Sequence, residues 1–283
     1  MRASDPAQDE PLKILLMGDS GAGKTGSLAS LAIAKYNVRI VDFDNGCAIF
    51  RDPSILPPQY RDYLEWETCT DKYKTIGGRI FPETATAWMR ASKLLGAWGD
   101  YGNVSGWTSR DVLVIDSTTF AGRAAMNFHL SINARLAIPP DWKDYRFAQD
   151  YISNLLMLLY SDAVKCNVIC ISHVDYHAPP GASKEEREKM EVFRGYPTAI
   201  GAALGPKMGR SFNAVLLART DGNSRSIWTS SRDSIELKTT APSKIKPVYP
   251  LSTGLADYFA AVKAEASATA KSGLMPTPTL AIT

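Results

Sequence analysis

Eight consecutive residues constrain this chain more than any others: Gly18-Asp19-Ser20-Gly21-Ala22-Gly23-Lys24-Thr25, a complete GxxxxGK[ST]. The motif follows a short apolar run, 12–17 (LKILLM), and opens an Ala- and Leu-rich stretch, 24–35, that reads as a helix. Strand, loop and helix in that order are the context in which such a loop wraps phosphate. Glycines permit backbone conformations barred to other residues, so the loop N–H groups can turn onto phosphate oxygens while the helix dipole adds to the field. The expected nucleotide-binding set is Gly18, Asp19, Ser20, Gly21, Ala22, Gly23, Lys24, Thr25 and Gly26. Lys24 is expected to reach the β and γ phosphates and Thr25 to bind Mg²⁺; the bland alternative is a glycine-rich turn before a helix.

The rest of the chain alternates apolar strands with helices. Strands are expected at 38–43 (VRIVDF), 111–116 (DVLVID) and 167–172 (NVICIS), and helices from Pro82 to about Trp98, over 118–137 and over 144–164. This alternation implies a mostly parallel sheet covered on both faces, with its ligand edge at the C-terminal ends of the strands. Residues 46–80, with Pro53, Pro57 and Pro58, read as an insertion of short elements, and 99–106 as a glycine-rich loop. Further on come a polar loop at 176–194, a small-residue helix or turn at 197–208 and strands near 211–219, 225–230 and 234–238, expected as hairpins on the sheet edge. A helix at 253–265 precedes an Ala/Thr/Pro/Ser tail. One domain over 11–265, with a disordered arm at 1–10 and a disordered tail at 266–283, is the expected organisation.

Two positions answer to the phosphate loop. Asp116 ends an apolar strand at the ligand edge, where a Walker B aspartate holds Mg²⁺ directly or through water; a helix cap is the plain alternative. Hydrolysis also needs a group that orients or deprotonates water. Many AAA motors carry that glutamate directly after the Walker B aspartate, but Ser117 stands there in this chain. The vacancy points to Asp42 and Asp44 on the second strand, with Asp44 as the base; a turn-forming role before Asn45-Gly46 is its alternative. The catalytic set is therefore Lys24, Asp44, Asp116 and His173, the last expected to sense the γ phosphate from the end of the fourth strand.

Composition excludes several classes. With 32 basic and 29 acidic residues the net charge is +3, too little for non-specific nucleic-acid binding by bulk charge. No apolar run reaches the ~18 residues of a membrane span, and the polar N-terminus does not read as a signal peptide, so a cytoplasmic protein without membrane contact is expected. The cysteines at 47, 69, 166 and 170 form no CxxC pair and read as buried thiols.

Taken together, GDSGAGKT, VDFDNG, DVLVIDS and VICISH resemble the RecA-like recombinase core, and most of all the compact ATPases of bacteriophages, including phage single-strand annealing proteins, over about 10–260. The resemblance implies a three-layer α/β P-loop NTPase core with a C-terminal β-hairpin extension, Mg·ATP hydrolysis, a homo-oligomer in ring or filament form, and single-stranded DNA as partner. It also implies a core-only version of the recombinase, in the host cytoplasm if phage-encoded. Glu236-Leu237-Lys238 is similar to the recombinase strand that carries a lysine into a neighbouring subunit's site, which makes Lys238 the trans-finger candidate, with Lys207, Arg210 and Arg232 as rivals. Between 206 and 250, eight basic residues face three acids, and Arg194, Lys207, Arg210 and Arg225 are the DNA-contact candidates, with Trp228 and Phe193 available to stack on bases. Three alternatives stand beside this reading: a nucleotide-gated assembly protein without DNA activity, a small-molecule kinase using Arg187 and Arg194 in a lid, and a GTPase, which the lone Asp175 fits poorly.

Overall fold

The computed structural model describes residues 10–178, 183–188, 193–201, 203–231 and 234–272. In chain order the elements are β1 (Lys13–Gly18), α1 (Lys24–Ser27), α2 (Ala29–Ile33), β2 (Asn37–Asp42), β3 (Leu64–Thr68), β4 (Tyr73–Ile76), β5 (Arg79–Pro82), α3 (Ala87–Gly96), β6 (Asp111–Asp116) and α4 (Thr118–Ile132). There follow α5 (Trp142–Tyr160), β7 (Asn167–Ser172), β8 (Val174–His177), α6 (Lys184–Arg187), β9 (Arg194–Pro197), α7 (Gly205–Met208), β10 (Ala214–Asp221), β11 (Ser224–Trp228), β12 (Val248–Pro250) and α8 (Gly254–Ser272).

Among the described residues the main sheet has eight strands in the order β12-β11-β10-β1-β7-β6-β2-β3. From β10 to β3 all pairings are parallel, and β11 and β12 extend the sheet as an antiparallel meander, in keeping with the expected mixed α/β fold. Strand alternation splits the core. Leu15, Met17, Val41, Leu113, Ile115, Val168 and Cys170 face α3, α4 and α5, whereas Ile14, Leu16, Ile40, Val114, Ile169 and Ile171 face α2 and α8. With both faces covered, the central strands carry near-continuous apolar runs, which is why they were readable in the sequence. Cys47, Cys69, Cys166 and Cys170 are buried and free.

Several expectations are corrected. The 46–80 stretch is more than an insertion, because β3 within it pairs with β2 as the parallel edge strand of the main sheet. Pro82 ends β5 instead of starting a helix: Gly77 and Gly78, both at positive φ (57° and 76°), turn the chain into the β4–β5 hairpin. The helix begins at Ala87, whose N–H is accepted by Asp71 Oδ1 at 2.9 Å. The 99–106 loop holds two short 3-10 turns. Within 197–208 only Gly205–Met208 is helical, and the strand expected from 211 starts at Ala214. The 234–238 strand is reduced to two single bridges, Gly195 with Ile235 and Val215 with Lys238. The C-terminal helix is described from Gly254 to Ser272, past the expected end at 265, through an Ala-rich stretch of high helix propensity. The arm at 1–9 and the tail at 273–283 lie outside the described residues, as does most of the 179–192 loop. No described helix is long and apolar enough to cross a membrane.

Candidate active site

The C-terminal edge of the sheet gathers the ends of β1, β7, β6 and β2. Met17 pairs with Ser172, Asp116 with Ile171, and Asp42 with Asp116, so Gly18, Ser172, Asp116 and Asp42 lie side by side. The chain leaves β1 for β2 on one side of the sheet while β10 returns on the other; this topological switch point is where open α/β sheets bind ligands.

The phosphate loop is shaped by close contacts. A Cβ on Gly18 would lie 2.4 Å from the Ala218 carbonyl oxygen, and Gly23, at φ +88°, would put one 2.4 Å from Leu251 Cδ2. Lys24 is buried, and its Nζ donates to the carbonyls of Gly18 (2.7 Å) and Asp19 (2.9 Å), bracing the loop from inside with two of its three donors. Burial lowers the Lys24 pKa, against the pull of Asp116, Asp44 and Asp19.

Thr25 Oγ1 donates to Asp116 Oδ2 at 2.6 Å, which brings the two expected magnesium ligands together. Asp116 is 1% exposed, and desolvation pushes its pKa up to about 7; Asp44 and Asp42 push the same way, and the Thr25 hydrogen bond and Lys24 oppose them. A buried carboxylate and a hydroxyl among like charges form an oxygen donor set that would suit a hard divalent cation, since Mg²⁺ commonly takes only one or two carboxylates from the protein. Among the described residues no cluster of three or more acidic, His or Cys side chains forms a self-contained metal site.

The Asp116–Ser117 peptide is cis. Ser117 N–H and Oγ donate to Asp44 Oδ1 at 3.0 and 2.8 Å. Burial raises the Asp44 pKa while the two Ser117 bonds lower it. Asp42 does different work: its carboxylate accepts the N–H groups of Asp44 (3.1 Å), Gly46 (3.2 Å) and Cys47 (3.4 Å), which shapes the turn that presents Asp44. His173 sits at the same edge. Thr119 Oγ1 accepts its backbone N–H at 3.2 Å and lies 3.3 Å from Nδ1, so one hydroxyl contacts both the backbone and the ring of His173. Burial, then Lys24, lowers the His173 pKa and favours the neutral ring. The His173 carbonyl accepts from Thr198 N–H at 2.8 Å, tying this edge to the end of the β8–β9 hairpin.

The outlying candidates separate. Arg194, Arg210 and Lys238 line a cavity of about 290 Å³ with Tyr196, Glu236, Leu15 and Met17, and Arg194 pairs with Glu236 at 2.9 Å. Lys207 is exposed on the neighbouring α7. Arg225 is not with them: it lies across the sheet, against Gly23, so the four DNA-contact candidates do not form one surface. Arg232 lies outside the described residues, and nothing is described of the Arg187 side chain.

One part of the site was missed. A cavity of about 610 Å³ opens beside Gly23, Gly26 and Ser27, lined by Ile49, Ile55, Thr220, Asn223, Arg225 and Leu251 among others. These residues come from segments some 200 positions apart, and no local spacing in the sequence joins them.

The sequence pattern of the AAA domain family (AAA_24) matches residues 10–241. Among solved structures, a prototypical ATPase from the type III secretion system of pathogenic bacteria is 13% identical, with a TM-score of 0.48 over 93% of this chain and 62% of that one. The ATPase EscN, solved with its central stalk EscO from the type III secretion system of enteropathogenic E. coli, is 15% identical, with a TM-score of 0.43 over 75% of this chain and 43% of that one. The chain thus spans less than two thirds of either protein. A search of curated proteins gives no match.

Proposed function

The chain belongs to the AAA domain family and is a P-loop ATPase, and we propose that it hydrolyses Mg·ATP with Asp44 as the base and uses the turnover on single-stranded DNA, in recombination or annealing of the phage type. One observation carries the catalytic part: Thr25, Asp116, Ser117 and Asp44 form a continuous run of contacts at the end of the sheet, bonded at 2.6, 3.0 and 2.8 Å.

In this reading the loop amides and Lys24 hold the β and γ phosphates. Thr25 and Asp116 would hold magnesium, which would supply positive charge against the phosphate oxygens. Asp44 accepts the proton of the attacking water, and His173 donates to the γ phosphate. The cavity lined by Arg225, Asn223 and Leu251 takes the base and ribose, because it opens directly beside Gly23 and Gly26 of the phosphate loop and α1. Arg194, Lys207 and Arg210 contact the DNA phosphates, and Lys238 serves a neighbouring subunit of a homo-oligomer.

The link from His173 through Thr198 to the hairpin favours a second reading, in which nucleotide occupancy gates assembly or partner binding and turnover is slow. ATP hydrolysis measured with and without single-stranded oligonucleotide separates the readings. Stimulation by the oligonucleotide supports DNA work, and basal turnover unaffected by it removes the DNA assignment. Phosphoryl transfer to an added nucleoside would replace it with a kinase.

A further inference from the structure

Ser117 occupies the N-cap position of α4, where a serine hydroxyl normally accepts a hydrogen bond from an N–H of the helix's first turn. Here it does not. No side-chain cap bond forms, although the residue has the extended backbone of a cap (φ −119°, ψ 164°). The hydroxyl is instead turned to Asp44, 73 residues away in sequence, and donates to Oδ1 at 2.8 Å. The backbone N–H of the same residue donates to the same oxygen at 3.0 Å. Ser117 is fully buried, so neither donor is shared with bulk solvent.

The geometry has a consequence for Asp44. Its backbone is already fixed by Asp42, which accepts the N–H groups on both sides of the turn, so the carboxylate retains only its side-chain rotations. Two donors on Oδ1 remove those as well. One carboxylate oxygen is saturated and the other is left to accept from a water. A carboxylate without the clamp would turn freely, and misplacing a catalytic group by an ångström can cost up to ~100-fold in rate.

We infer that Ser117 is the positioning residue of this ATPase: its hydroxyl, taken from helix capping, orients the Asp44 carboxylate so that a single oxygen faces the attacking water. The inference rests on the assignment of Asp44 as base. It also accounts for a serine in the place that many AAA motors give to the catalytic glutamate, since the residue after Asp116 still serves the water-activating group, through a hydrogen bond.

The test is a double-mutant cycle on the full chain, with steady-state ATP hydrolysis and calorimetric ATP binding measured for wild type, Ser117→Ala, Asp44→Asn and the double variant. Because the hydroxyl caps nothing, Ser117→Ala keeps α4 intact, and thermal melting checks this. The expected result is a roughly tenfold to 100-fold fall in kcat for Ser117→Ala, ATP affinity within about twofold of wild type, and no further fall when Ser117→Ala is added to Asp44→Asn. An equal fall from Ser117→Ala in both backgrounds overturns the inference, because the serine would then act independently of Asp44. Wild-type turnover by Ser117→Ala, with Asp44→Asn impaired, overturns the inference alone. Wild-type turnover by Asp44→Asn removes the base assignment, and the inference with it.

Discussion

The two ends of one parallel sheet bury charge in opposite ways. At the N-terminal end, Arg39 bonds Glu65 (2.7 Å) and Asp111 (2.8 Å) and lies over the rings of Tyr101 (3.6 Å) and Trp107 (4.6 Å). Lys13 donates to the carbonyls of Val164 (2.7 Å) and Cys166 (3.1 Å), and Asn167 ties Leu12 N–H to the Ser109 and Asp111 carbonyls. Arg39 there is paired with carboxylates of the chain, and Lys13 has carbonyl acceptors. At the C-terminal end, Asp42 and Asp44 crowd Asp116 beside Lys24, and the Asp116 carboxyl is pushed up to about 7 by burial, with its acidic neighbours adding to the push. Self-compensated charge holds the fold, whereas charge left in excess marks the place where a ligand completes the balance.

That contrast can be broken from either side. Asp44→Asn, at the ligand end, should lower kcat by about 10²–10⁴-fold, the usual contribution of a general base, with ATP affinity nearly unchanged. An unaltered rate would place the base elsewhere. Arg39→Leu, at the other end, should leave kcat per folded molecule intact but cost about 3–5 kcal/mol of stability, because Asp111 loses its buried partner. Denaturant titration reads the loss, which is a large share of the ~5–15 kcal/mol typical of a domain. A variant as stable as wild type would show that the pair is not structural.

The smallest effect concerns Lys13, whose pKa burial lowers to about 8. Between about pH 8 and 10.5 the folded chain holds less of this proton than the unfolded chain does, so the group's contribution to stability rises with pH across that window. Lys13→Met should remove the rise. Denaturation midpoints at pH 8 and pH 10 compare the slopes, and identical slopes in the two proteins would show that Lys13 is not titrating there.

The legibility of the sequence follows the same division. The phosphate loop and the strands ending at Asp42, Asp116 and Ser172 could be read because strands buried on both faces carry unbroken apolar runs ending in a polar residue. The edge strand β3 was hidden by its mixed composition, LEWET, which suits a strand with one open side. The start of α3 was misplaced because Pro82 fits a strand end as well as a helix start, and the Asp71 contact that caps Ala87 comes from 16 residues away. Arg225 read as part of a basic patch, yet β11 folds back beside β10 and delivers it to Gly23. Ser117 read only as the residue that stands in place of a glutamate after Asp116, and it is the approach of the 42–47 turn that brings its hydroxyl to Asp44. In most of these cases the missing information was a long-range contact that no local pattern encodes; the β4–β5 hairpin is the exception, because Gly77-Gly78 is a local turn signal.

Calorimetric titration of ATP with magnesium into wild type and Lys24→Ala tests the central claim most directly. Saturable binding by the wild type that disappears in Lys24→Ala is the predicted result. An absence of binding heat in the wild type, or equal affinity in the variant, would contradict a phosphate site at this end of the sheet.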